Sequence, residues 1–139
     1  MSKKFIAAVT AGSITMLLVG AILYGLVFVW LFDEGAVAIP GVMKESPSIP
    51  WILGGQLAFG LLVALVVEWR KATTFSGGAW TGVLLGFLMA IGYDFAQFGT
   101  TNLWTIGATL LDPFITALLV GSGGGVIGFV LGHGSSDRE

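Results

Sequence analysis

The sequence predicts an all-α, polytopic membrane protein: four transmembrane helices in one antiparallel bundle, a single domain over residues 1–139, with both termini cytoplasmic. Three observations predict it. Hydrophobic residues make up 55% of the 139-residue chain and charged residues only 10%, where a soluble domain carries about 25% charge. The apolar residues fall into four runs, each long enough to cross a hydrocarbon core of about 30 Å as a helix. The basic residues are unevenly shared between the loops.

Phe5 to Phe32 carries no charge. As a helix it would extend about 42 Å, so it is predicted to tilt or to project into the headgroups. Lys3 and Lys4 precede it as in a signal peptide, but the run far exceeds an h-region of roughly 7–15 residues, which predicts an uncleaved first span over 5–32. Residues 33–50, "DEGAVAIPGVMKESPSIP", hold every proline except Pro113 and form the first loop. The second span is predicted over 51–67, closed by "EWRK". The third covers 75–98 and is broken by "GTTN". The fourth covers 103–131, with a shorter alternative from Pro113 to Gly132 that leaves 99–111 as an outer loop or interfacial segment. The tail "HGSSDRE" is polar.

Four spans put the N-terminus, the 68–77 loop and the C-terminus on one side of the bilayer. That side holds Lys3, Lys4, Arg70, Lys71 and Arg138; the other holds only Lys44. Basic residues are retained in the cytoplasm, so both termini are predicted there, in the inner membrane of a bacterium. The tryptophans fit the same frame. Trp30, Trp51 and Trp104 fall near the outer boundary and Trp69 and Trp80 near the inner one, where indole rings prefer to sit.

The chain has 22 glycines, many at four-residue spacing. Gly78, Gly82, Gly86 and Ala90 form a ridge on the third span; Gly124, Gly128 and Gly132 form one on the fourth, with Gly121 and Gly125 adjacent. Gly54/Ala58 and Gly60/Ala64 mark the second span and Ala21/Gly25 the first. Small residues let helix backbones approach closely, and in lipid that dispersion contact drives association. The ridges fit packing within the bundle; they also fit a homo-oligomer, a membrane partner subunit or a smooth pore lining. "GSGGGVIG" (121–128) lacks the Lys-Ser/Thr of a phosphate loop and lies within an apolar span.

The next position along the ridge after Ala90 is Asp94. Residues four apart share a helix face, so this carboxylate is predicted to point into the helix interface. Tyr93, Gln97, Thr100, Thr101 and Asn102 are its nearby polar residues. A second carboxylate, Asp112, lies in "TLLDPF". If the fourth span runs from Leu103, both aspartates fall in the outer half of adjacent helices, and the pair could share a proton or bind a cation. If that helix starts at Pro113, Asp112 is its N-cap. Both readings stay open at this level.

The C-terminal half, roughly residues 78 to 131, resembles a family of small bacterial four-helix membrane proteins of unknown function. The third helix of that family ends in a Tyr-Asp pair followed by Asn, Trp and Thr, and a second Asp follows in the fourth helix. Here Tyr93-Asp94 stands for the pair, Trp104 for the tryptophan, and Thr109 and Asp112 for the Thr-x-x-Asp element; Gln97 stands in place of the Asn. The resemblance implies four helices and a continuous fourth span, and no activity. The family's acid in the first span has no counterpart in "GAILYGLVFVW".

Composition narrows the function classes. A net charge of −2 offers no basic surface for nucleic acid, and the expected partner is the lipid bilayer. Without cysteine, and with a single histidine, His133, at a span end, no metal site, haem site or thiol nucleophile is expected. The chain is therefore read as non-enzymatic, with no catalytic residue and no cofactor. Its candidate polar site is Asp94, Asp112, Tyr93, Gln97 and Thr109. An assembly or packing role built on Gly78, Gly82, Gly86, Gly124 and Gly128 stands beside the alternative of a small proton- or cation-coupled transporter or channel that acts as an oligomer.

Overall fold

A computed structural model describes residues 2–33 and 40–133. Residues 134–139 of the polar tail, Arg138 among them, lie outside the described residues, as does the middle of the first loop. The described elements are helical throughout: α1 (Lys3–Ile22), a π-helical turn (Leu23–Val27), α2 (Val29–Asp33), α3 (Ile49–Trp69), α4 (Phe75–Thr100) and α5 (Ile106–Gly132). Four segments are long and apolar enough to cross a membrane: Lys3–Val27, Ile49–Trp69, Phe75–Thr100 and Ile106–Gly132.

The helix starts follow local chemistry. Ser2, Thr74 and Thr105 each precede a helix in extended backbone, and their hydroxyl oxygens accept from the amides of Phe5, Gly77 and Ala108 at 3.1 Å. Each cap satisfies an amide with no partner within its helix. Pro50 sits in the first turn of α3, where its missing N–H costs nothing. At the other end of α3 the chain turns through Lys71 in left-handed backbone (φ 53°). The Ala72 amide donates to the Val67 carbonyl and the Lys71 amide to the Glu68 carbonyl, closing the last turn.

Two boundaries differ from the sequence expectation. The first span is not one α-helix over 5–32. At Leu23 it widens, the Phe28 amide donates to the Leu23 carbonyl five residues back (2.7 Å), and Phe28 leaves helical geometry at φ −111°, ψ 15°. Part of the predicted excess length is thus taken up by a π turn and a separate short helix. The fourth span starts at Ile106, neither at Leu103 nor at Pro113.

α5 is the hub. Half of its apolar stretch is buried, against 17% in α3, and it contacts α1, α3 and α4, with α4 its most extensive neighbour. The α4–α5 seam is built on glycine. A Cβ on Gly78 would overlap the Gly124 carbonyl, and one on Gly82 the Val120 carbonyl. One on Gly86 would lie 2.9 Å from the Thr116 carbonyl and 2.8 Å from the Val120 side chain. From the α5 side, a Cβ on Gly124 would overlap the Gly78 carbonyl and one on Gly128 would lie 3.0 Å from Gly78 Cα. As α4 advances by four residues its partner on α5 retreats by four, so these two helices run in opposite directions.

The other faces of α5 carry their own small residues. Gly123 meets Met16 and the Gly12 carbonyl of α1, and Gly12 in turn meets Ile127. On α3, Gly60 accommodates Ser13, whose hydroxyl donates to the Gln56 carbonyl at 3.3 Å. Phe5, Met16, Val63, Val67, Val120 and Ile127 fill the core between α1, α3 and α5. Of the remaining small-residue positions, Gly25 and Gly54 have nothing within 4 Å of a Cβ; they face outward and join no helix within the bundle. Leu26, Leu84, Leu88, Phe114 and Leu118 are among the exposed large side chains, a surface suited to lipid and not to water.

Candidate functional site

The α4–α5 register decides where the carboxylates go. Continued two turns beyond Gly86, it brings Asp94 opposite Ala108, one turn of α5 from Asp112. Asp94 is 1% exposed and Asp112 6%. Asp94 shares the buried side of α4 with Gly78, Gly82, Gly86 and Ala90. The seam thus carries it to the face of α5 that holds Ala108 and Asp112.

Asp112 is not a helix cap. Thr105 caps α5, and Asp112 sits two turns inside it, followed by Pro113 in the helix interior. Its carboxylate is held from two elements. The Tyr24 hydroxyl donates to Oδ1 at 2.7 Å, and the Thr116 hydroxyl, one turn along α5, lies 3.2 Å from Oδ2. The Tyr24 and Thr116 oxygens are themselves 2.9 Å apart. Asp112 is thus the acceptor in a closed triangle of side-chain oxygens.

Asp94 is provisioned differently. Its Oδ2 is fully buried and has no hydrogen-bond partner among the described residues. Two ionised carboxylates are both acceptors and cannot bond to each other. A buried carboxylate oxygen without a donor is costly, and like charges at close range repel strongly in a low dielectric. A proton or a cation between the two carboxyls removes both penalties.

Tyr24 lies one turn beyond Gly20, whose Cβ position meets Leu119 of α5, so the same helical face carries its hydroxyl to Asp112 and Thr116. Beyond it an aromatic cover closes the end of the bundle. The Tyr24 and Phe32 rings are 5.3 Å apart, and Phe32 meets Trp104 edge-on at 5.7 Å. Leu31, Ala108 and Ile115 are buried beneath them. On the other side of the site the glycine seam leaves α4 and α5 in backbone contact, and Met16, Val120 and Ile127 are fully buried.

Three other residues expected at the site are arranged otherwise. Tyr93 is 60% exposed, on the outside of α4. Gln97 is half-buried, and its main-chain carbonyl accepts from the Thr101 amide and hydroxyl. Thr109 is buried, with its hydroxyl donating to the Thr105 carbonyl at 2.9 Å. Tyr24 and Thr116 were not expected there. A signal for Tyr24 exists in the sequence: it is the one phenol in a charge-free run, and a tyrosine hydroxyl in such a setting needs a partner. His133 lies at the far end of α5, its ring 5.2 Å from that of Phe129. Among the described residues no group of three His, Cys, Asp or Glu side chains could hold a metal ion.

Fold and site together define a multi-pass, all-helical membrane protein by the length and apolar character of its four long helices. No family model, no curated protein and no solved structure matches the chain.

Proposed function

We propose that the protein is a non-enzymatic, antiparallel four-helix bundle of the bacterial inner membrane, with both termini cytoplasmic, whose Asp94–Asp112 pair binds and releases a proton. The observation that carries this reading is the buried, unpartnered Asp94 Oδ2 beside the Asp112 carboxylate. Ionisable residues inside a span are costly and mark proton or ion sites. The resemblance of Tyr93-Asp94 and Thr109-x-x-Asp112 to small bacterial four-helix membrane proteins supports the setting.

Access favours a one-sided site over an open pore. Between the carboxyls and the basic end of the bundle, the glycine seam and the side chains of Met16, Val120 and Ile127 occupy the interior. Toward the other end, among the described residues, lie Leu31, Ala108 and Ile115 and the aromatic cover of Tyr24, Phe32 and Trp104.

A lipid-soluble carbodiimide tests the reading, because it adds to a protonated carboxyl and leaves a stable acylurea on it. In proteoliposomes at acidic pH the peptide carrying Asp94 or that carrying Asp112 should gain one carbodiimide mass, and Asp94→Asn should remove the labelling at residue 94. Failure to modify either carboxyl in the folded protein at any pH would falsify the proton site.

Orientation has its own test. Cysteines placed at Ser2 and Ser136 should react with an impermeant maleimide only after the cells are opened, and one at Lys44 in intact cells. Labelling at 136 from outside intact cells would reverse the assignment of the termini.

A further inference from the structure

We infer that the Asp94–Asp112 site also takes a sodium-sized monovalent cation, in competition with the proton, and that the main-chain carbonyl of Thr109 is one of its ligands. The inference rests on the proton-site reading and extends it to a second ion. It begins from Pro113. Inside an α-helix the residue at 113 would donate its amide to the carbonyl of residue 109. Proline has no N–H to give, so the Thr109 carbonyl lacks its helical donor. Thr109 and Asp112 are 2% and 6% exposed. They lie three residues apart, on one face of α5, and Asp94 comes from α4 to that same face.

The site thereby gathers oxygen from every element around it. Asp94 Oδ2 is buried and unpartnered; Asp112 supplies a carboxylate, Tyr24 and Thr116 supply hydroxyl oxygens, and Thr109 supplies a carbonyl. Hard cations select oxygen ligands of this mixed kind, and freed helix carbonyls beside carboxylates are how membrane helices coordinate sodium. The oxygens of Tyr24, Asp112 and Thr116 stand 2.7 to 3.2 Å apart as hydrogen-bond partners, so an ion entering among them meets oxygens already held close together, which favours a small one. The titratable groups that face Asp94 are Asp112 from α5 and Tyr24 from the π turn. Every lysine, arginine and histidine of the described residues sits in a loop or within the first or last turn of a helix, so no fixed positive charge competes for the pair. Two carboxylates there carry one negative charge too many for a buried site, and either a proton or a cation removes it.

The experiment uses the carbodiimide reaction in proteoliposomes at fixed pH and ionic strength, with sodium, lithium, potassium or choline chloride. Sodium and lithium should slow modification of the aspartates in a saturable manner, and potassium and choline should not. Pro113→Ala restores an amide donor to the Thr109 carbonyl and favours the helix. It should keep the labelling while raising the half-protecting sodium concentration roughly tenfold, the scale of losing one bond to a charged partner. Equal labelling in all four salts overturns the cation while leaving the proton site intact. Sodium protection unchanged in Pro113→Ala overturns the carbonyl ligand. Absence of labelling in every salt removes both the inference and the proton reading beneath it.

Discussion

Gly82→Leu should prevent the bundle from forming. A Cβ at residue 82 would overlap the Val120 carbonyl, with Gly121 Cα only 3.0 Å away, so the obstacle is backbone and no rotamer change relieves it. Overpacking a core usually costs about 1–3 kcal/mol. Here the two helices must separate along the seam, which also forfeits the close contacts of Gly78, Gly86, Gly124 and Gly128, so a loss of about 3 kcal/mol or more is expected. The variant should be recovered in detergent as aggregate, or melt far below the wild type. Gly92→Ala is the control: nothing lies within 4 Å of its Cβ, and alanine is the better helix former. A Gly82→Leu protein with wild-type melting temperature would remove the seam, and with it the register that brings Asp94 opposite Ala108, one turn from Asp112.

Tyr24→Phe should lower stability while leaving the fold in place. It keeps the ring that packs on Phe32 and removes the hydroxyl that donates to Asp112 Oδ1. Hydrogen bonds to charged groups contribute about 1.5–3 kcal/mol in proteins, whereas interhelical polar pairs in membranes average about 0.6 and reach about 1.7 kcal/mol. Thr116 remains to donate to Asp112, so a loss of about 1–2 kcal/mol is expected. Combining Tyr24→Phe with Thr116→Val should cost more than the sum of the single changes, because only the double variant leaves the carboxylate without a side-chain donor. Additive melting-temperature shifts would show that the two hydroxyls act independently.

Hydrophobicity alone makes the four long helices legible, because exclusion of charge over a bilayer's thickness is a strong constraint on composition. The spacing of Gly78, Gly82, Gly86, Ala90 and Asp94 is equally plain, and these residues are the buried ones of α4 along with Thr81. Glycine spacing by itself does not say whether a partner exists. Gly54/Ala58 and Ala21/Gly25 read like the ridge of α4, yet Gly54 and Gly25 face nothing. What separates the two cases is the matching ridge on α5, a tertiary fact. Tyr24 was hidden for another reason: its partner Asp112 lies 88 residues on, and nothing in the first span says which helix its hydroxyl will meet. Asp112 was ambiguous because Asp-Pro is both a helix start and a tolerated interior pair in membranes; Thr105, an equally good cap seven residues earlier, decides it.

The central place of α5 has a consequence for biogenesis. The helix that touches all the others follows them in the chain, so α1, α3 and α4 must be synthesised and inserted before it exists. Until then the glycine faces of α4 and Gly12 of α1 meet lipid alone, and Asp94 lies within the bilayer without Asp112. Each inserted helix is stable against lipid by its own backbone bonding, but the association stage waits for the final segment. A chain that stopped ahead of residue 106 would lack the surface against which Gly78, Gly82 and Gly86 close, and with it most of the contacts that α4 makes.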